Sequence, residues 1–531
     1  MKRYTRVLRR QALAVAAVAV LLAGGGTAVA AGRVAKGSGA KLDAPTLARL
    51  IDQEIQAKLT AEKVTAAPLA DDAEFLRRLY LDIAGVIPPA DKVVEFLNDT
   101  SPDKRARVID ELLASPQYGR HLADIWQAML LPRTSDNRRL QHEPMIKWLE
   151  QNFNENKPWN QMVSELLTAT GTQDKNGAVT FFLANPTADK VNDIVSRLFL
   201  GIQLQCAQCH NHPFTSWKQT DYWGMANFFV KVRPDNVNRA AKQGVSPGIN
   251  ESGTGRQRML PESAMNLPPK FLLGEQPKLK ANEPYRPAFA AWLTSPDNPF
   301  FARAMVNRMW HHFFGRGLVN PVDDMHEGNI PSHPELLQEL TAQFVASGFD
   351  LKHLIRGICN SQTYQRSSKP VAGDVDPALF AHMTVKVLTP EQLYDSLEQV
   401  LGPARPARPV LRNANPALQR ANNPRNQFVA FFQGDENADP TEYQDGIPQA
   451  LRLMNAPQAN NLTAAVNRIA KGEQAPAAVI ERLYLATLSR RPSTAEAERL
   501  TAYVQKQGDA RQAYHDILWA LINSSEFRLN H

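Results

Sequence analysis

A chain of 531 residues with 43% hydrophobic content is long enough for roughly two to four domains and a sizeable core. Its formal charge of +7 owes much to Lys2, Arg3, Arg6, Arg9 and Arg10; setting those five aside leaves 55 basic residues of 60 against 53 acidic, a net of +2. That near balance removes the electrostatic footing for a nucleic-acid partner, and none is expected.

Residues 1–30 read as a secretory signal peptide. A basic start precedes the apolar run Ala12 to Ala23, and Ala28-Val29-Ala30 is an A-x-A cleavage site. Arg9-Arg10 gives the segment a faint twin-arginine character. The protein is therefore expected to be exported, periplasmic or at the cell surface. The apolar run is near spanning length, so membrane attachment follows only if the segment stays uncleaved.

The mature chain reads as mainly α and multi-helical, because alternating strand patterns are scarce. Three regions are expected: an N-terminal helical domain over 31–230, an irregular connector over 231–283, and a C-terminal helical domain over 284–531. Ser101-Pro102 reads as a cap with proline at the first helical position, opening a helix that runs to Ser115. Residues 231–283 are rich in Gly, Pro, Asn and Ser and read as a long loop, with one short strand over Lys270 to Leu273. Ser332/Glu335, Thr389/Gln392 and Ser493/Glu496 have the spacing of capping boxes. Residues 402–427, rich in Pro, Arg and Asn, read as a flexible loop.

An internal repeat runs through this helical text. Arg78-Leu79-Tyr80-Leu81 recurs as Arg482-Leu483-Tyr484-Leu485. Each copy reaches a proline, Pro88 or Pro492, then two helical patterns and a Ser-x-x-aromatic ending, Ser115 to Tyr118 and Ser524 to Phe527. Ser361 to Tyr364 repeats the ending alone. The unit reads as a small helical hairpin whose terminal aromatic folds back on its own helices, and no chemistry is assigned to Tyr118 or Phe527.

The segment with chemical content is Cys206-Ala207-Gln208-Cys209-His210. Two of the three cysteines stand C-x-x-C with histidine directly after, the pattern for covalent attachment of c-type haem. The thiols add to the porphyrin vinyl groups and His210 becomes an axial iron ligand. Zinc is the alternative: Cys206, Cys209 and either His210 or His212 supply three ligands, with a fourth from elsewhere. A strained disulfide is the third, since an exported protein meets an oxidising compartment.

A distal haem ligand must come from another segment. Met305, Met309 and His312 fall near one helical face, at i, i+4 and i+7. His312 leads, and Met225 is the runner-up; the competing reading of each is a packed core side chain. Cys359, on an apolar helix end, reads as a buried free thiol. Asp323, Asp324 and Glu327 form an acidic cluster whose readings are a solvated loop or a calcium site. There is no G-x-S-x-G, Gly-rich phosphate loop or H-E-x-x-H.

These residues carry a resemblance. Phe199-Leu200-Gly201, Cys206 to His210, His212-Pro213-Phe214, Trp217-Lys218-Gln219, Asp221-Tyr222 and Phe228-Phe229 resemble the planctomycete-type domain of unknown function numbered fifteen-forty-nine. Asn298 to Arg303, Val306 to Trp310, Phe314-Gly315-Arg316-Gly317, Pro331 to Leu337 and the terminal Asn523 to Phe527 resemble its usual partner, numbered fifteen-fifty-three. The resemblance implies an exported protein and no agreed activity. It also implies that the separate cytochrome-like domain of many relatives is missing from this chain. In the family pattern Asp often stands where this chain has Asn211, so no carboxylate adjoins His210.

The resulting expectation is a c-type haem protein in electron transfer or haem-based redox chemistry, with a periplasmic redox partner. One rival is a zinc- or disulfide-stabilised binding module for cell-surface polysaccharide or a partner protein, using Trp217, Tyr222 and Trp223 for sugar stacking. The other is a metal-dependent hydrolase using His212, His312 and Asp221.

Overall fold

A computed structural model describes residues 40–132, 141–235, 245–251, 260–403, 423–432 and 462–531. The expected signal peptide and most of the expected 402–427 loop lie outside these residues. Among the described residues no helix is long and apolar enough to cross a membrane.

The fold is mostly helical, with only small sheets. Helices of eight or more residues are numbered here. In the first half they are α1 Ala44–Ala61, α2 Asp72–Ile83, α3 Ala90–Asn98, α4 Lys104–Ala114, α5 Pro116–Leu130, α6 Glu143–Asn154, α7 Trp159–Thr168, α8 Ala188–Val195 and α9 Gln219–Ala226. Next come α10 Arg286–Leu293, α11 Phe301–Phe314, α12 Pro334–Ala346 and α13 Leu351–Asn360. The last are α14 Pro390–Leu401, α15 Pro424–Phe432, α16 Thr463–Ala470, α17 Pro476–Thr487, α18 Thr494–Lys506 and α19 Ala510–Ile522.

Local chemistry sets many of these boundaries. Asp43 accepts the Thr46 N–H at 2.8 Å and Asp71 accepts that of Glu74 at 2.9 Å, satisfying orphan donors at the starts of α1 and α2. Thr389/Gln392 and Ser493/Glu496 form reciprocal capping boxes at α14 and α18. Two expected starts move. Helix α4 begins at Lys104 rather than at Ser101-Pro102, because Asp99 takes the Ser101 N–H in a turn. Helix α12 begins at Pro334, and Ser332 caps nothing; its N–H goes to the Leu318 carbonyl.

Strands β1 Gly171–Thr172, β2 Val232–Asp235 and β3 Gly248–Glu251 make an antiparallel sheet of order β1-β3-β2, with Gly171 opposite Ile249 and Val232 opposite Glu251. The 231–283 stretch thus supplies two short strands, whereas Lys270 to Leu273 forms none. The Lys270 N–H is taken by the Gly224 carbonyl, an anchor onto α9. Strands β4 Lys386–Val387 and β5 Leu529–Asn530 pair the chain end to the middle of the sequence.

Two apolar cores share α2 as a wall. Phe75, Leu76, Leu79 and Ile83 enter the larger core, which draws on side chains from Leu47 to Met383 and on Leu485. Leu81 enters the smaller one with Leu388, Leu483 and Phe527. The first half of the chain is therefore built into the second, with α1 packed on α13 and α3 on α17.

The repeat is visible in three dimensions. Arg78–Leu81 lies on α2 and Arg482–Leu485 on α17, each followed by two more helices and a serine cap. Tyr118, Tyr364 and Phe527 are all buried, as their back-folding requires. Two adjacent buried arginines hold two of the endings. Arg77 donates to the carbonyls of Thr487 (3.0 Å) and Phe527 (2.8 Å). Arg78 donates to those of Tyr364 (2.7 Å) and Arg366 (2.9 Å) and pairs with Glu74.

Candidate functional site

The Cys206–His210 motif begins in a 3-10 turn over Gln205–Gln208, with Cys209 as its C-cap and His210 just after it. In a 3-10 turn, residues three apart eclipse one another. Leu204 and Ala207 are the inward pair and are buried; Cys206 and Cys209 are the outward pair, both exposed and both free thiols. The same period that buries an alanine thus sets two sulfurs on one open face.

Helix α9 holds this turn from behind. The Trp223 indole N–H donates to the Gln208 carbonyl at 2.9 Å. The Gln219 side chain donates to the carbonyls of Gln208 (3.1 Å) and Cys209 (2.9 Å). Asn211 Oδ1 accepts the Gln219 N–H at 3.1 Å, and Asp221 accepts that of Lys218 at 3.0 Å. Asn211 therefore does the acceptor work that an aspartate would do at the helix start. Upstream, Phe199 packs on Trp126 and Trp159 at 6.2 and 5.9 Å, fixing the strand of chain that enters the turn.

The two histidines differ in tautomer. His210 Nδ1 lies 2.7 Å from the Asn211 carbonyl oxygen. A carbonyl only accepts, so the proton is on Nδ1 and the Nε2 lone pair is free. His212 Nδ1 instead accepts the N–H groups of Phe214 (3.2 Å) and Thr215 (3.1 Å). Its proton is therefore on Nε2, which makes that nitrogen a donor. Burial lowers the His212 pKa, with the Asp324 carboxylate opposing. Phe214, 87% exposed, stands edge-on to His212.

A second segment of the second half, besides α11, lies against the chain that enters the turn. The Met325 N–H donates to the Gly201 carbonyl at 2.8 Å. Asp323 is buried and accepts from Gln203 at 3.2 Å, with Arg197 at 3.8 Å. Asp323 is thus committed to two side chains of the first half and is not part of a solvated acidic loop. His326 pairs with Asp324 at 3.7 Å. In the sequence His326 has one signal, the density of Asp, His and Glu at 323–327.

Gly201 makes that approach possible. It ends the preceding turn at φ +67°, and a Cβ there would stand 3.0 Å from Met325 Sδ and 3.3 Å from Ala304 Cβ. Gly201→Val is expected to cost about 1–2 kcal/mol from the left-handed backbone alone, plus the clash. Urea unfolding checks this, and an unchanged midpoint would contradict the packing described.

The remaining candidates are committed elsewhere. Met225 is wholly buried within α9, and Met305 and Met309 are buried in α11. His312 Nε2 lies 2.8 Å from the Asp82 carbonyl, and its ring is 5.6 Å from that of His121. These four side chains are engaged in packing or hydrogen bonds of their own; α11 meets the motif region through Arg308 on the Arg197 carbonyl and Ala304 beside Gly201. Cys359 is buried, and burial pushes its thiol pKa up.

The sugar-stacking platform is not available as expected. Tyr222 and Trp223 are buried, with the Tyr222 hydroxyl donating to Asp193 at 2.8 Å, and Trp217 is partly buried. The expected hydrolase set does not converge either. Asp221 pairs with Lys270 while His312 is held at Asp82. Among the described residues no group of three or more His, Cys, Asp and Glu side chains is arranged to hold a metal ion.

Family models match two segments. Residues 50–234 match PSCyt2, a protein of unknown function (DUF1549), and residues 285–504 match PSD1, a protein of unknown function (DUF1553). No curated protein and no solved structure matches the chain. The first segment contains the thiol turn with α9 behind it, the second contains the 323–327 loop that docks on it, and the chain belongs to the proteins of unknown function that pair these two domains.

Proposed function

We propose that this protein carries one c-type haem on Cys206 and Cys209, with His210 as an axial ligand, and serves electron transfer or haem-based redox chemistry outside the cytoplasm. The observation that carries the reading is the His210 tautomer. Its Nδ1–H is anchored on a backbone carbonyl, which orients the ring and leaves Nε2 as the ligating nitrogen. The two exposed thiols on one face of the turn suit addition to two vinyl groups. Bound haem would supply a one-electron couple at that face. The exposed side chains around it would give a periplasmic redox partner direct access. His212, with its proton on Nε2, suits donation to a haem carboxylate rather than ligation.

Zinc on Cys206, Cys209 and His210 is the competing outcome, although among the described residues these three side chains are not arranged as a metal-holding group. The test separates the two. The protein expressed with haem-maturation machinery should keep a pyridine haemochrome spectrum after acid-acetone extraction and gain the mass of one haem. Cys206→Ser with Cys209→Ser should abolish both signals. His210→Ala should change the iron ligation spectrum, and His212→Ala should change it much less. Stoichiometric zinc without a Soret band would overturn the haem reading.

A further inference from the structure

We propose that a cleft of about 370 Å³ between α1 and the segments before and after the 323–327 loop binds a zwitterionic ligand, an amino acid or short peptide with an apolar side chain. It shares no residue with the thiol turn, and the proposal does not rest on the haem reading. The cleft is built by two motifs to which haem chemistry gives no role. Gly315-Arg316-Gly317 supplies Arg316 and Leu318 follows it; Pro331-Ser332 supplies Ser332, with Ile330 just before.

Its charges are unusual in their pairing. Lys58 and Glu62, one turn apart on α1, meet each other at 3.3 Å. Arg316 and Asp376 do not meet each other. Among the described residues Arg316 has no carboxylate partner, and Asp376 has no cation; one Asp376 oxygen accepts the Ala378 N–H at 2.8 Å. One cleft therefore presents an uncommitted guanidinium and an uncommitted carboxylate. Asn320, also without a side-chain partner among the described residues, lines the same space.

The ligand class follows from that balance. The formal charges of Lys58, Arg316, Glu62 and Asp376 cancel, so a simple anion gains from Arg316 and loses against Asp376. A simple cation has the opposite conflict. A ligand carrying both charges satisfies both groups, its carboxylate taking the planar guanidinium fork and its ammonium facing Asp376. The apolar part has Leu318 and Leu379 in the cleft and Ile330, 76% exposed, at its rim. The volume is in the range of small-ligand sites.

Isothermal titration of the full chain with the dipeptide Ala-Leu tests this. Saturable binding is expected. N-acetylation or C-terminal amidation of the peptide should each weaken it about tenfold or more, the effect of losing one charge-assisted contact. Arg316→Gln and Asp376→Asn should do the same, with unchanged circular dichroism and melting as the folding control. On Asp376→Asn, acetylation should cause no further loss, because the contact to the amine is already gone. Absence of saturable binding in the millimolar range overturns the proposal, and so does equal affinity for the capped peptides. Acetylated peptide binding as tightly as free peptide, yet losing affinity on Arg316→Gln, would replace it with an anion site.

Discussion

Asp82→Ala is expected to lower stability by about 3–5 kcal/mol, the cost of stranding a buried charge whose partner is removed. Asp82 is 2% exposed and sits where the far parts of the sequence meet. Its carboxylate accepts from Lys386 (2.7 Å), Asn530 (2.7 Å) and the Tyr364 hydroxyl (2.9 Å). Lys386 also donates to the carbonyls of His312 and Phe313, so it is fixed in place and would have no carboxylate left. Asp99→Ala, which removes a partly exposed pair with Arg107 and the acceptor of the Ser101 N–H, is the comparison; it should cost about 1–2 kcal/mol. Replacing Asp82 and Lys386 together by leucine and methionine should cost less than Asp82→Ala alone, because no buried charge is then unpaired. Equal urea midpoints for Asp82→Ala and Asp99→Ala would show that the network does not hold the halves together.

Acid should destabilise the protein before most of its carboxylates titrate. Burial lowers the pKa of His121, His312, His333 and His353, that of His333 to about 4 from 6.5. The folded state keeps these rings neutral while the unfolded chain takes up protons below about 6.5. Their stabilising contribution is complete above pH 6.5 and is lost as pH falls below it, for His333 down to about 4. Each such ring contributes up to about 1.4 kcal/mol per pH unit within its window. Asp193 acts in the opposite direction. Burial raises it to about 6 from 3.8, so the folded state holds a proton that the unfolded chain has released, and stability falls as pH rises from about 4 to 6. Glu391, also raised by burial, acts with Asp193, while His212 and His531, also lowered by burial, act with the four rings; two carboxyls against six imidazoles leave the histidines dominant. The urea midpoint should therefore drop from pH 7 to pH 5. His333→Asn should flatten that drop, and Asp193→Asn should steepen it. A midpoint that holds constant across this range would contradict the neutral burial of the rings.

Much of the fold could be read from local chemistry. The helical period, the capping boxes at Thr389 and Ser493, and the serine-aromatic endings depend on neighbours a few residues apart, so the sequence by itself determined them. The C-x-x-C-H turn is equally local: Leu204 and Ala207 inward, Cys206 and Cys209 outward, on a three-residue period. Which histidine offers a lone pair was not legible. His210 and His212 are two residues apart and alike in type, and their tautomers depend on which backbone group each ring meets. Nor was the partner segment legible. The face of α11 carrying Met305, Met309 and His312 has the spacing of a ligand stripe and of a core stripe alike, and spacing cannot distinguish them. The tertiary structure decided that Met305 and Met309 pack inward while His312 is held at the Asp82 carbonyl, that Asp323 and Met325 dock on the chain entering the thiol turn, and that Asp82 collects Tyr364, Lys386 and Asn530. Such contacts join residues hundreds of positions apart. Their energy comes from burial and from polar groups that must find partners once water is excluded, which no local pattern records.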